Sequence, residues 1–228
     1  MRNAMYASVC VMVAQQACGI NIFAFLSATA FEKRLNKDNR KSLEYTIYFA
    51  LANHIFIWVA IPLIDRNGRR WLLHYSFLGM AGCLAVIAGC ANIKNGNTRE
   101  RVLLAFTVLF TAVFSIGEGP SAFLVSCEAF PLIVRELGMS HAVFWNFAGA
   151  GVISFLIPIM DSKMDDSWFW ALFIFFNLLF WRLSQFFVRE TQGFPLEHID
   201  ETYSTSKLDH EENEGMVEVR IWKRIAKR

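Results

Sequence analysis

Residues 102–127 read VLLAFTVLFTAVFSIGEGPSAFLVSC, with Glu118 as the one charged side chain among them. A helix rises about 1.5 Å per residue, so this stretch is long enough to cross a hydrocarbon core about 30 Å thick. Its Leu, Phe and Val residues each favour insertion by roughly 0.3–0.6 kcal/mol. Together they outweigh the roughly 2.5–3.5 kcal/mol that one carboxylate near the centre costs. The stretch has no polar face, which a helix on the surface of a soluble bundle requires. It predicts a membrane span whose regular geometry is broken by Gly117, Gly119 and Pro120.

The same pattern repeats on both sides. Nothing charged interrupts Asn3 to Phe31, Tyr45 to Ile64, Trp71 to Ile93 or Leu137 to Met160, and Arg182 alone interrupts Ser167 to Val188. Arg182 lies near a span end, where its head can reach the interface. Over 228 residues, 55% are hydrophobic and 18% are charged, against roughly 45–50% and 25% in soluble domains. A net charge of +2 gives no electrostatic footprint for nucleic acid. The expected fold is an all-α membrane protein. Residues 1–190 carry six transmembrane helices, at about 5–31, 45–64, 71–92, 102–126, 137–160 and 167–188, and a hydrophilic tail covers 191–228.

Six spans put both termini on one side, but the basic residues do not say which. Terminal-side segments carry 7 Lys or Arg against 9 opposite, and adding the tail reverses this to 13 against 9. The first apolar run is too long for a cleavable signal peptide. The five cysteines fall in or at the ends of spans without a Cys-x-x-Cys pair and read as reduced and inert. No phosphate-binding glycine loop, metalloprotease helix or nucleophile elbow is present. The chain is therefore not read as an enzyme, and no catalytic residue, cofactor or metal is expected. In the tail, Met216 to Arg228 mixes apolar and basic residues, which suits either an interfacial helix or a frayed end.

Polar groups inside spans face the bundle interior or a wet cavity. Gln15, Gln16 and Asn21 lie in the first span, Asn53 and His54 in the second, and Asn146 with His141 nearby in the fifth. Amides offer donors and acceptors without a charge, which suits neutral polyhydroxylated ligands. Hydrogen bonding between helices is the alternative use. Glu118 either keeps a proton, pairs with a cation or meets water. No role is assigned to His54, His74 or His141.

Four motifs in order resemble the sugar porter branch of the major facilitator superfamily, specifically its C-terminal six helices and its fungal members. Gln15-Gln-Ala-Cys-Gly-Ile-Asn21 resembles the seventh-helix motif. Asp65-Arg-Asn-Gly-Arg-Arg70 is similar to the loop between helices eight and nine. Gly117-Glu-Gly-Pro120 with Glu128-Ala-Phe-Pro131 and Arg135 resembles the tenth helix and its end. Arg189-Glu-Thr-Gln-Gly193 with Leu196-Glu resembles the signature after helix twelve. The likeness runs to about Glu201.

The resemblance implies a C-terminal half of a major facilitator fold, with both termini cytoplasmic in the plasma membrane. It implies transport of a neutral sugar or polyol by alternating access. Gln15, Gln16, Asn21, Asn53 and Asn146 would bond solute hydroxyls, and Phe123 would stand where many members stack a tryptophan on the sugar ring. Asp65, Arg69, Arg70, Glu128, Arg135 and Glu190 would form the cytoplasmic charge network. Phe25 and Leu26 stand where tyrosines are frequent, and Arg189 replaces a proline. Helices one to six are lacking, so the partners implied are the bilayer, the solute and an N-terminal half, without which transport is not expected. The competing readings are a non-transporting sugar sensor or regulatory membrane protein, and an unrelated six-span channel, whose internal repeats are not seen.

Overall fold

A computed structural model describes residues 2–24, 39–90 and 96–192. The expectations for Phe25, Leu26, the loop around 32–38 and the tail beyond 192 lie outside those residues. The described chain is helical: α1 (Arg2–Ala17), α2 (Asn39–Asn67), α3 (Arg69–Gly89), α4 (Gly96–Ile116), α5 (Glu118–Glu128), α6 (Arg135–Lys163) and α7 (Asp166–Phe187). A 3-10 turn, Leu132–Val134, joins α5 to α6. Five stretches are long and apolar enough to cross a membrane: Leu43–Asn67, Arg69–Gly89, Gly96–Glu128, Leu132–Lys163 and Ser167–Phe187.

The first expected span, like the one at 102–126, is not one continuous helix. It stops after Ala17, turns through Cys18 and Gly19, and resumes at 20–24. Gly19 has φ 101°, and a Cβ there would sit 3.3 Å from the Phe173 ring. The carbonyl of Cys18, freed by the break, accepts a hydrogen bond from Asn177 Nδ2 at 2.9 Å. Broken helices are tolerated at membrane depth where neighbouring groups satisfy the freed backbone in this way.

α4 lies between α2 and α3, and α3 runs along α7, while α1 packs on α5, α6 and α7. Ala4, Ala7 and Ala14 on its buried side let backbones approach closely, the usual contact between helices in lipid. At one end, Phe23, Phe49, Phe110, Phe169, Trp170 and Phe173 pack into an aromatic core, and the Tyr45 hydroxyl donates to the Glu100 carboxylate. Outward, Leu43, Ile47, Leu51, Ile55 and Trp58 of α2 form an exposed stripe, as do Phe144, Phe147 and Phe155 of α6. Apolar surface of this extent is stable against hydrocarbon, not water.

α3 begins at a point that only glycine suits. Gly68 has φ 90° and ψ 160° with no side-chain cap, a region essentially closed to residues with a Cβ. The first two amides of α3 instead find the Glu190 carboxylate, Arg69 N–H to Oε1 at 3.2 Å and Arg70 N–H to Oε2 at 3.1 Å. An anion there also complements the helix dipole. Gly68→Ala is expected to destabilise the chain by about 1–3 kcal/mol from backbone strain, read as a lowered Tm of the purified chain in detergent.

Candidate functional site

Four amides meet where the break in the first span faces α6. Asn146 Nδ2 donates to Gln15 Oε1 at 2.6 Å and to the Met12 carbonyl at 3.2 Å. Its Oδ1 accepts from Gln16 Nε2 at 3.0 Å. Gln16 Oε1 in turn accepts from Asn21 Nδ2 at 2.7 Å, and Gln15 Nε2 donates to the Gly119 carbonyl at 3.0 Å. Gln15, Gln16, Asn21 and Asn146 are 5–9% exposed, so the cluster is buried but not sealed. Each primary amide has two donors and two acceptor sites, and Asn21 Oδ1 is unused among the described residues. The cluster can therefore exchange some of its internal bonds for hydroxyl groups of a neutral ligand at little net loss.

The break in the first span makes this convergence. On one straight helix Asn21 would lie six positions from Gln15 and about 120° away from it. The turn at Gly19 brings Asn21 back over Gln16 instead.

Not every expected residue joins the cluster. Asn53 of α2 accepts from Ser115 Oγ at 3.1 Å, on the side of α4. Phe123 is 42% exposed, with no aromatic partner among the described residues. Two polar residues in the same region escape the motif reading. Asn177 is fully buried and bonds Cys18 and Phe173 carbonyls; its signal, an amide in an apolar run, is the one that picks out Asn146. Ser76 bridges the break between α4 and α5, donating to the Val113 carbonyl at 3.2 Å and accepting the Glu118 N–H at 3.1 Å. A lone serine in an apolar helix gives no such signal.

The charged residues gather at the end away from the aromatic core. Arg69 donates from Nε and Nη2 to Glu128 Oε1, at 3.3 and 3.1 Å, with both side chains 16% exposed. The Thr191 hydroxyl donates to the other Glu128 oxygen. Asp65 reaches Arg69 at 3.8 Å but is 77% exposed. Arg70 Nη2 donates to the Gln185 carbonyl in the last turn of α7 at 3.2 Å, a favourable place for a cation. Glu190 bonds the Arg69, Arg70, Thr191 and Gln192 amides. Gln192 Nε2 donates to the Asp65 carbonyl. Arg135 stands apart, donating to the Phe130 carbonyl at 3.3 Å. Thr191 and Gln192 belong to this assembly although the motifs did not single them out for it.

Among the described residues no group of three or more His, Cys, Asp or Glu is placed to hold a metal ion.

The family model for sugar (and other) transporters matches residues 1–203. Polyol transporter 5 of Arabidopsis thaliana is 33% identical over 208 residues, covering 89% of this chain and 39% of that protein. The glucose facilitated diffusion protein of Zymomonas mobilis is 29% identical, covering 89% and 43%. A crystal structure of a double-tryptophan XylE mutant superposes with a TM-score of 0.81 at 22% identity, covering 89% of this chain and 43% of that one. The inward-open xylose transporter XylE from E. coli gives 0.75 at 22%, covering 88% and 42%. The chain thus spans about two fifths of the length of the curated relatives it matches.

Proposed function

The chain belongs to the sugar (and other) transporter family, and from that premise we propose that its residues form the C-terminal half of a carrier for a neutral sugar or polyol. It is an integral membrane protein with an all-α major facilitator fold, and it is not an enzyme. The observation that carries the reading is the amide cluster. Four uncharged amides, from the broken first span and from α6, share one chain of hydrogen bonds with acceptor capacity left over. Such a surface recognises hydroxyls and rejects ions, which would lose more hydration than amides return.

In this reading Gln15, Gln16, Asn21 and Asn146 hold the solute, with Asn53 and Phe123 contributing from the flanking walls. The Arg69–Glu128 assembly latches one end of the half-bundle on the cytoplasmic side of the plasma membrane, where both termini lie. Alternating access follows from rocking against an N-terminal six-helix half, with solute held between the two.

The test is binding and flux. The purified chain in lipid nanodiscs is titrated with D-glucose, D-xylose and D-sorbitol. Uptake is then measured in transport-deficient cells expressing the chain alone and together with an N-terminal half. Saturable binding by the chain, with uptake only in the pair, is the expected result. Asn146→Ala removes the residue that bonds both glutamines and is expected to weaken binding about tenfold, one to two hydrogen bonds' worth. Undiminished binding in that variant overturns the assignment. Binding without flux in the pair favours a sensor.

A further inference from the structure

Glu118 has both carboxyl oxygens buried and without a hydrogen-bond partner among the described residues, and its side chain is 0% exposed. That is the most demanding position in a membrane protein for an ionisable group. An unpaired buried ion is strongly disfavoured, so the charge of the site follows whether a proton is bound. The neighbours offer nothing to replace the proton. The thiols of Cys10 on α1 and of Cys18 in the turn after it lie within electrostatic reach of the carboxyl. From α3, Ser76 engages the Glu118 backbone and not its carboxyl, while His74 is bonded to the Ser184 backbone of α7. His54 of α2 packs on Trp58, and His141 of α6 accepts from Trp145. Arg182 of α7 bonds Gln185, and the charged residues of α4, Arg99, Glu100 and Arg101, are at its far end. No cation pairs with Glu118 among the described residues.

The position is also one residue from the amide cluster. The carbonyl of Gly119 accepts the Gln15 Nε2 hydrogen bond, and Glu118 opens α5 directly after the break at Gly117. Any solute that draws Gln15 away frees that carbonyl, in the first turn of α5. Ser121 and Ser126 further along α5 bring two more buried hydroxyls without a partner among the described residues. The carboxyl is thus one of several buried polar groups on α5.

We propose that the Glu118 carboxyl is a proton-binding site, linked to solute binding at Gln15, Gln16, Asn21 and Asn146 through the Gly119 carbonyl. The step is a reversible proton transfer from hydronium to one carboxylate oxygen, leaving water, with no change of oxidation state. The linkage rests on the solute-binding reading above; the proton site does not.

Two measurements on the full chain in lipid nanodiscs separate them. Infrared difference spectra across a pH titration should contain a protonated-carboxyl carbonyl band that is lost in Glu118→Gln and shifted in Glu118→Asp, the second variant keeping a titratable group should the first fold poorly. Absence of any such band overturns the site. Calorimetric titration with D-glucose and D-sorbitol, repeated in two buffers of different ionisation enthalpy, should report about one proton exchanged per solute bound. That number should fall to zero in Glu118→Gln while binding persists. Binding with no proton exchange, or exchange unchanged in Glu118→Gln, overturns the linkage. Loss of all solute binding by the native chain with the carboxyl band intact overturns the functional reading and the linkage, and upholds the proton site.

Discussion

Glu128→Ala is expected to lower the stability of the chain by about 3 kcal/mol, the low end of what breaking a buried ion pair costs. The reason is what the substitution leaves behind. Arg69 keeps its charge at 16% exposure with Nε and Nη2 both deprived of Glu128 Oε1, and the Thr191 hydroxyl loses its acceptor. The two groups come from α3 and from the chain after α7, so α5 loses its polar attachment to both. Asp65→Ala supplies the contrast. Its carboxylate is 77% exposed and 3.8 Å from Arg69, and an exposed pair contributes about 0.5 kcal/mol or less. Thermal unfolding in detergent should therefore separate two carboxylates that meet the same arginine. Removing both charges in Arg69→Met with Glu128→Leu should recover much of the loss. Equal small effects from Glu128→Ala and Asp65→Ala would mean that the pair is solvated and holds nothing.

Gly117→Ala is expected to cost about 3 kcal/mol, the upper range for overpacking. A Cβ at this position would lie 2.8 Å from the Leu72 carbonyl oxygen and closer still to Ser76 Cβ. Neither can swing aside, because one is backbone and the other is anchored to it. α3 would have to move off the break, taking with it the hydroxyl that joins the Val113 carbonyl to the Glu118 amide. Gly82→Ala is the matched control, since among the described residues nothing lies within 4 Å of its Cβ position. That variant should be neutral or slightly stabilising, because alanine is the better helix former. Comparable Tm values for the two would show that α3 yields at Gly117 without loss.

The helices were legible in the sequence because lipid leaves a simple record: runs free of charge, about as long as a bilayer is thick. The break before Glu118 was legible too, since two glycines and a proline within four residues have few other uses in a span. The break at Gly19 was not. The first run is apolar on all sides, so periodicity carries no signal there, and the opening depends on Phe173 and Asn177 far along the chain. The amide cluster was visible as residue types, because Gln15, Gln16, Asn21 and Asn146 are the wrong chemistry for hydrocarbon unless they have partners. Which amides would meet was not visible. Asn53 carries the same signal and turns to Ser115 instead. At the charged end, Arg69, Glu128 and Glu190 come together, but Arg135 turns to the carbonyl of Phe130. Such choices are set by which helix faces which, and spacing along the chain does not encode that.

One carboxylate, that of Glu190, collects amides from two separate stretches of chain, Arg69–Arg70 and Thr191–Gln192. Mechanically this is a pin joint placed just beyond α7. α3 cannot pivot without carrying along the segment that leaves α7. Whatever follows residue 192 thus departs from a point fixed to the start of α3, 121 positions back from Glu190 at Arg69. Any tilt of the bundle is handed mechanically to the polar C-terminal stretch as a displacement of its root.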